Sequence, residues 1–246
     1  MTQMKKKKTT SNEMTLIGHL TELRRRIIYS GLALIIFSFI GYYFAEPIAK
    51  DIIGRAPDME FVFISPSELL LSYIRIAVFC GLIISAPIIL SQIWLFVSPG
   101  LENKQKKYIV ISLILGGGFF VLGTIFAYIV VLPVVFKFFA GFQMPEIKAT
   151  ISFGNYLNFI IRLLIAFGVV FELPIIMFLF ARLGILKVEF YVKYRKYMVL
   201  IIFIVAALLT PPDVVSQILL AIPMLLLYEI GILLSRIGQK KLYRKD

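Results

Sequence analysis

The chain has 246 residues, of which 60% are hydrophobic, and its mean hydropathy is +0.91. Soluble domains are about half apolar, so this composition excludes a soluble globular protein and indicates a polytopic membrane protein. The 26 Lys and Arg residues outnumber the 14 Asp and Glu residues, but they stand in short clusters between apolar runs. This spacing fits the orientation of membrane spans better than a nucleic-acid-binding face.

Few residues are available for metal or redox chemistry. Cys80 is the only cysteine and His19 the only histidine, which excludes an intrachain disulfide, a thiolate zinc cluster and a histidine metal site. No aspartate lies inside a predicted span, and no glycine-rich loop is followed by Lys-Ser or Lys-Thr. We therefore predict no cofactor and no enzymatic activity.

The amino-terminal part is basic. Residues 1–13 are polar, include the run Lys5–Lys8, and are expected to form a disordered cytoplasmic tail. Apolar residues between Leu16 and Ile27 then recur every three or four positions, which predicts an amphipathic helix lying in the cytoplasmic interface. Glu22 and the cluster Arg24–Arg26 would sit at the membrane surface, where the arginines could serve only as a positive-inside anchor.

The first span is predicted over Ile27–Ala45, which is long enough to anchor rather than to be cleaved. An outer loop follows over Glu46–Glu68, then a second span over Leu69–Phe96 and a cytoplasmic loop over Phe96–Lys107. The third span covers Tyr108–Leu132, and another outer loop covers Lys137–Asn155. Arg75 is close enough to the outer end of the second span to snorkel. Pro87 predicts a kink, Pro133 an end or a bend, and Gly116–Gly118 with Gly123 a close approach of another helix.

The fourth span, Tyr156–Leu179, contains the carboxylate of Glu172. This residue lies sixteen positions, or roughly 24 Å of helix, from Tyr156, well within the hydrocarbon zone. An acid at this depth is costly and indicates a functional position, although it could also be protonated or paired with a neighbouring hydroxyl or arginine and merely hold the bundle together. Arg162 is roughly 80° away around the helix, so the two should not pair.

The last two spans are predicted to be short. A basic cytoplasmic segment, Arg182–Lys196, precedes the apolar runs Met198–Leu209 and Ile218–Leu234, and both runs fall below the ~20 residues of a full crossing. Asp213, after the Pro-Pro turn between them, is placed to cap the last helix. We predict an all-α domain of six transmembrane helices over residues 14–236, a basic tail over 237–246, and both termini in the cytoplasm.

Several motifs, in this order and at this spacing, resemble the TatC family, the large membrane subunit of the twin-arginine protein translocase. They are His19-Leu20-x-Glu22-Leu23-Arg24, Phe96-Val97-x-Pro99-Gly100-Leu101, Phe126-Ala127-Tyr128, Phe167-Gly168-x-x-Phe171-Glu172-x-Pro174, and Thr210-Pro211-Pro212-Asp213-x-x-Ser216-Gln217-x-Leu219-Leu220-Ala221-Ile222-Pro223. The resemblance spans residues 16 to 236. It implies a rigid, cupped bundle in the cytoplasmic (inner) membrane, with Glu172 on the concave face.

The resemblance also implies a receptor for folded precursor proteins that carry a twin-arginine signal peptide. The family's cytoplasmic signal-binding positions fall here on Glu22, Arg24, Phe96, Pro99 and Gln105. The family usually has a glutamate where this chain has Gln105. Either Gln105 accepts a hydrogen bond through its amide oxygen, or Glu102, one helical turn away, supplies the missing charge.

The family recruits TatA-like and TatB-like single-span subunits around its last two spans and self-associates in the complex. Thr210 and Gln217 match positions assigned to that contact, and Asp213 lies between them. Transport in the family is driven by the proton-motive force acting on the assembly. The competing interpretation is a proton-coupled secondary transporter of a small solute, with Glu172 as the proton relay and Arg75 or Arg162 as a substrate ligand.

Overall fold

The computed structural model of the chain describes residues 16–56, 60–97, 103–141, 150–210 and 213–243. Within these ranges, five helical segments are long and apolar enough to cross a membrane, which confirms an all-α polytopic membrane protein. The helices are α1 (Leu16–Tyr43), α2 (Ala45–Gly54), α3 (Pro66–Val97), α4 (Asn103–Phe126), α5 (Leu132–Ala140), α6 (Phe153–Arg182), α7 (Val188–Lys193), α8 (Arg195–Leu209) and α9 (Val214–Tyr243).

The first helix is continuous from Leu16 to Tyr43. The amphipathic stretch predicted between Leu16 and Ile27 is helical, and it forms the first turns of α1: no proline interrupts it, so these turns run directly into the span. Helices α1 and α3 approach closely through glycines. A Cβ built on Gly81 would come within 2.4 Å of the Ser38 hydroxyl, and one on Gly41 within 2.6 Å of the Ala77 carbonyl oxygen.

The first predicted outer loop contains the short amphipathic helix α2 and the strand β1 (Glu60–Val62), two elements that the sequence did not indicate. Strand β1 pairs in parallel with β2 (Thr150–Ser152), with Phe61 opposite Ile151. The predicted outer loops therefore meet on one side of the membrane domain, as the charge pattern required.

Glu68, in the first turn of α3, joins these outer segments. Its carboxylate accepts hydrogen bonds from the backbone N–H groups of Ile64 and Gly154, both at 2.7 Å, and from the Ser152 hydroxyl at 2.5 Å. Because Ser152 is also the N-cap of α6, one side chain ties together the outer ends of α3 and α6.

The third span is longer than predicted. Helix α4 passes through a π-helical turn, Ala127–Val131, into α5, and Pro133 lies in the first turn of α5, directly after the π-helical turn. The proline therefore does not end the span. The helical segment continues to Ala140.

Helix α6 is the central helix of the bundle. Leu157, Ile160, Leu163, Phe167 and Leu179 are completely buried, so α6 has apolar neighbours on more than one side. It packs against α4 at a glycine-rich contact, where a Cβ on Gly123 would come within 2.6 Å of the Phe167 carbonyl oxygen. The close approach expected from the glycines of the third span is confirmed here.

The last two helices differ in length. Helix α8 has 15 residues, as predicted for a short span, whereas α9 has 30. The prediction of a short sixth span is wrong because α9 continues past Leu234 into polar and basic residues that hydropathy does not mark. Arg195 binds Glu229 bidentately, with both N–O distances 2.9 Å, and so fixes the inner end of α8 about halfway along α9.

Candidate functional site

The polar side chains at the inner ends of α1 and α3 form a small hydrogen-bonded group. The guanidinium of Arg26 donates from Nη2 to Oε1 of Glu22 at 3.0 Å and from Nη1 to the amide oxygen of Gln92 at 2.9 Å. The side chains of Glu22 and Arg26 are 17% and 23% exposed. Glu22 thus lies in a partly open notch and already holds a guanidinium group.

An apolar groove extends from this notch along α1 and α3. It has a volume of about 450 Å³ and is lined by Leu23, Ile27, Leu34, Ile89, Ile93 and others. Phe96 lies at its inner end together with Arg26 and Gln92, and the ring of Phe96 stacks on His19 with 4.3 Å between centroids. A charged notch and an apolar groove are therefore continuous.

The structure brings some of the predicted signal-binding residues together. Glu22 and Phe96 lie at the same end of neighbouring helices, whereas Arg24 is exposed on α1 about 200° around the helix from Glu22. Pro99 and Glu102 fall outside the described residues. Gln105 is in the first turn of α4, but its side chain also lies outside the described part of the structure.

Glu172 lies on α6 where this helix faces α4. It is 8% exposed, and its Oε1 atom has no hydrogen-bond partner. Gly116 leaves the space for the carboxylate, since a Cβ there would lie 2.8 Å from Oε2 of Glu172. Arg162 is exposed on another face of α6, which agrees with the prediction that these two residues do not pair.

The tip of the α8–α9 hairpin brings together the three residues predicted there. The Thr210 hydroxyl donates to the Ala206 carbonyl oxygen at 2.9 Å, and Nε2 of Gln217 donates to the Phe203 carbonyl oxygen at 2.9 Å. Asp213 accepts the N–H of Ser216 at 2.7 Å, as expected for a cap, and also accepts the Ser216 hydroxyl. These hydrogen bonds lower the pKa of the Asp213 carboxyl group below its ordinary value.

Arg26 and Gln92 are the functional candidates that the sequence reasoning missed. The spacing of Glu22 and Arg26 by four residues could have indicated their pairing on one helix face. Nothing in the sequence pairs Gln92 with them, because that contact joins residues 66 positions apart. Among the described residues, no group of three or more His, Cys, Asp and Glu side chains could hold a metal ion.

Comparison with known proteins identifies a single family. Residues 18–223 match the family model described as Sec-independent protein translocase protein (TatC). A TatC protein of Desulforapulum autotrophicum is 41% identical over 228 residues, covering 91% of this chain and 84% of the relative. The TatC protein of Aquifex aeolicus is 38% identical over 234 residues, covering 93% and 97%.

A solved structure has the same fold. A crystal structure of the twin arginine translocase receptor TatC superposes with a TM-score of 0.81 at 37% identity. The match covers 89% of this chain and 99% of the crystallised chain.

Proposed function

The chain belongs to the TatC family of Sec-independent protein translocase proteins, and we propose that the notch around Glu22 is where it binds the arginine pair of a signal peptide. As a family member it is a signal-peptide receptor and core subunit of the twin-arginine translocase. The names of its relatives favour this function over the proton-coupled transporter.

The observation that carries the proposal is the contact between Glu22 and Arg26. A guanidinium already lies 3.0 Å from the Glu22 carboxylate in a partly open position. Arginine offers a planar fork of donors that suits a carboxylate, whereas lysine is a point donor. The notch is therefore built for guanidinium, and Arg26 occupies the place that an arginine of the signal would take.

The second arginine of the signal needs an acceptor of its own. Two candidates follow Phe96 in the chain: the carboxylate of Glu102 and the amide oxygen of Gln105. A charged acceptor forms the stronger hydrogen bond, so we propose Glu102 as the principal acceptor and Gln105 as a neutral one. Glu102→Gln should then weaken signal binding, and Gln105→Glu should strengthen it. If neither variant changes the affinity, the second acceptor lies elsewhere.

The experiment for the notch measures binding of a labelled twin-arginine signal peptide to the purified protein. Wild-type protein should bind the peptide and lose it when both arginines are replaced by lysines. Glu22→Gln should weaken binding by about 1.5–3 kcal/mol, as for a hydrogen bond to a charged group. Arg24→Gln, at the exposed end of the same motif, tests whether that arginine contributes directly. An unchanged affinity for Glu22→Gln would falsify the assignment.

We propose that the apolar part of the signal lies in the groove between α1 and α3. The groove begins at Arg26, Gln92 and Phe96 at its inner end and continues toward the middle of the membrane along apolar side chains, so a peptide anchored at the notch would meet these side chains next. Ile93→Asp should weaken binding of a signal with an apolar core and leave the affinity for a short arginine-only peptide unchanged. Pro99, outside the described residues, is proposed to shape the inner edge of this site.

The α8–α9 hairpin is the proposed contact for TatA-like and TatB-like single-span subunits. Its helix α8 has only 15 residues, so the bilayer beside it must thin or be covered by a partner helix. One side of α8 is apolar and exposed, including Leu200, Ile204 and Leu208. Thr210 lies at the outer end of α8, and Gln217 of α9 bonds to the backbone of α8. Cysteine pairs between α8 and a partner span should cross-link, and Leu208→Asp should abolish the cross-link.

Transport of folded cargo requires an assembly of several subunits. A chain of this length cannot line a fixed channel for folded cargo, so transport requires further copies and the other Tat subunits. We place the complex in the cytoplasmic (inner) membrane, driven by the proton-motive force, with Glu172 as a polar contact for an inserted signal or a partner span. Residues 14–236 form the proposed membrane domain between basic tails, although α9 extends to Tyr243.

A further inference from the structure

Two arginines in membrane-spanning helices line one small cavity. Arg75 of α3 and Arg162 of α6 lie around a cavity of about 300 Å³ together with Asn158. Arg75 is partly buried and Arg162 is exposed. Asn158 lies one turn before Arg162 on α6, so three groups that donate hydrogen bonds converge on this space.

No acidic residue lines this cavity. Among the described residues, neither arginine has an ion pair or hydrogen bond. Two cations in one small cavity repel each other, and moving a charge out of water costs several kcal/mol unless an opposite charge accompanies it. The folded chain therefore presents two guanidinium groups to one cavity that holds no acidic side chain, an arrangement that an anion would stabilise.

The depth of the two arginines identifies the region in which that anion lies. Arg75 is nine residues from the outer end of α3, and Arg162 is nine residues from the outer end of α6, about 13 Å in each case. Helices of 32 and 30 residues are about 45–48 Å long and exceed the ~30 Å hydrocarbon core by roughly 8 Å at each end. The backbone of each arginine therefore lies about 5 Å inside the hydrocarbon core, and its side chain can reach the headgroup layer by snorkelling.

We propose that this cavity binds the phosphate of an outer-leaflet phospholipid, held by Arg75, Arg162 and Asn158. A phosphate diester accepts paired hydrogen bonds from guanidinium groups. The inward part of the cavity is apolar, with Val78, Leu82 and Ile165 one or two turns deeper than the arginines. An acyl chain attached to a phosphate at this level would lie along them. The arrangement matches a phospholipid more closely than a free anion, which would leave those side chains uncovered.

The test is a lipid titration of the delipidated full chain in a neutral detergent. Phosphatidylglycerol should bind the wild-type protein and raise its unfolding midpoint. Arg75→Gln/Arg162→Gln should bind it about tenfold more weakly or worse, as expected for loss of charge-assisted hydrogen bonds. Native mass spectrometry counts the retained lipid directly. Lys50→Gln/Lys137→Gln removes two exposed outer charges away from the cavity and should behave as wild type.

Three results would overturn the proposal. The first is equal lipid affinity in the double variant and the wild type. The second is an equal rise in unfolding midpoint with inorganic phosphate, which would indicate a free-anion site. The third is retention of an acidic partner span in place of lipid, lost in the same variant.

Measuring the unfolding midpoint in lipid-free detergent shows whether a loss of lipid binding is caused by a folding defect. The double variant should be at least as stable as the wild type there, because it removes two unpaired like charges. Arg162→Gln alone, at the exposed position, should weaken lipid binding with the smaller structural change. If this single variant binds lipid as the wild type does, Arg162 does not hold the phosphate.

Discussion

The carboxylate of Glu172 occupies the space that a side chain at Gly116 would need. A Cβ at Gly116 would lie 2.8 Å from Oε2 of Glu172, closer than such atoms approach, whereas a Cβ at Gly118 would meet nothing within 4 Å. Both glycines lie in α4, two positions apart. Only the first is required by packing, and it is the one that accommodates the buried acid.

Gly116→Ala should therefore displace the Glu172 carboxylate at a cost of about 1 kcal/mol, the low end for overpacking, because the clashing atoms are the far end of a flexible side chain. The carboxylate would have to move away from α4, and any function that depends on its position should fall as well. Gly118→Ala is the matched control and should leave stability equal or slightly higher, because alanine favours a helix. Thermal unfolding in detergent measures both.

A double-mutant cycle tests whether the cost arises at Glu172. If the added methyl group clashes with the carboxylate, Gly116→Ala should cost much less when Glu172 is already replaced by alanine. An additive result would place the clash elsewhere in the α4–α6 contact.

Arg26 is expected to compete with the signal peptide for Glu22. Arg26→Gln frees the carboxylate from a pair that is worth roughly 0.3–0.5 kcal/mol at this spacing, so the affinity for a twin-arginine peptide should rise about twofold. Peptide binding measured by fluorescence anisotropy resolves this change. Arg25→Gln is the neighbouring control: Arg25 is exposed and contacts Tyr29 of its own helix, so its loss should leave the affinity unchanged.

Arg26 could instead help Glu22 to bind the signal. Weaker peptide binding by Arg26→Gln would mean that Arg26 and Gln92 orient Glu22 for the signal instead of competing with it. Gln92→Leu separates these roles, because it removes the second acceptor of Arg26 and leaves the carboxylate intact.

The sequence predicted most of the membrane domain because a span carries a strong local signal. Runs of apolar residues between basic clusters indicated the spans, and the fourth span matched α6 to within a few residues. The helix and strand of the outer segments were not predicted, for a physical reason: α2 is short, and β1 exists only because it pairs with a strand about 90 residues later. Part of the candidate site was predicted, because Glu22 and Phe96 belong to recognisable motifs. The contact between Arg26 and Gln92 was not predicted, because it depends on how α1 packs against α3.

The outer helix α2 should make stability depend on pH. Asp51 accepts a hydrogen bond from the Tyr128 hydroxyl, which lowers its pKa, and it also binds Arg55 at 3.3 Å. Arg55 in turn lies 4.0 Å above the Tyr128 ring. The pKa of the Asp51 carboxyl group is therefore lower in the folded than in the unfolded protein. The stability that this carboxylate contributes is fully present above its unfolded-state pKa and is lost as the pH falls through its folded-state pKa.

The unfolding midpoint of the wild type should therefore fall as the pH drops below about 4, the ordinary pKa of aspartate. Asp51→Asn should show a smaller fall over the same range and, since the carboxylate is largely exposed, only a slightly lower midpoint at pH 7. Glu46→Gln is the control on the same helix, where the carboxylate binds only the exposed Lys50. Identical pH profiles for Asp51→Asn and the wild type would contradict the role of this contact.

Two substitutions at Asp213 separate its cap from its proposed contact with a partner subunit. Asparagine caps a helix about as well as aspartate, so Asp213→Asn should keep the bond from the Ser216 N–H to Oδ1, with its Nδ2 donating to the Ser216 hydroxyl instead, and leave the unfolding midpoint nearly unchanged. Asp213→Ala loses the cap and should lower the midpoint. If the negative charge contacts a partner, both variants should lose the co-purified single-span subunit and export of a folded reporter. If capping is the whole role, Asp213→Asn should retain both, because the start of α9 would be unaltered.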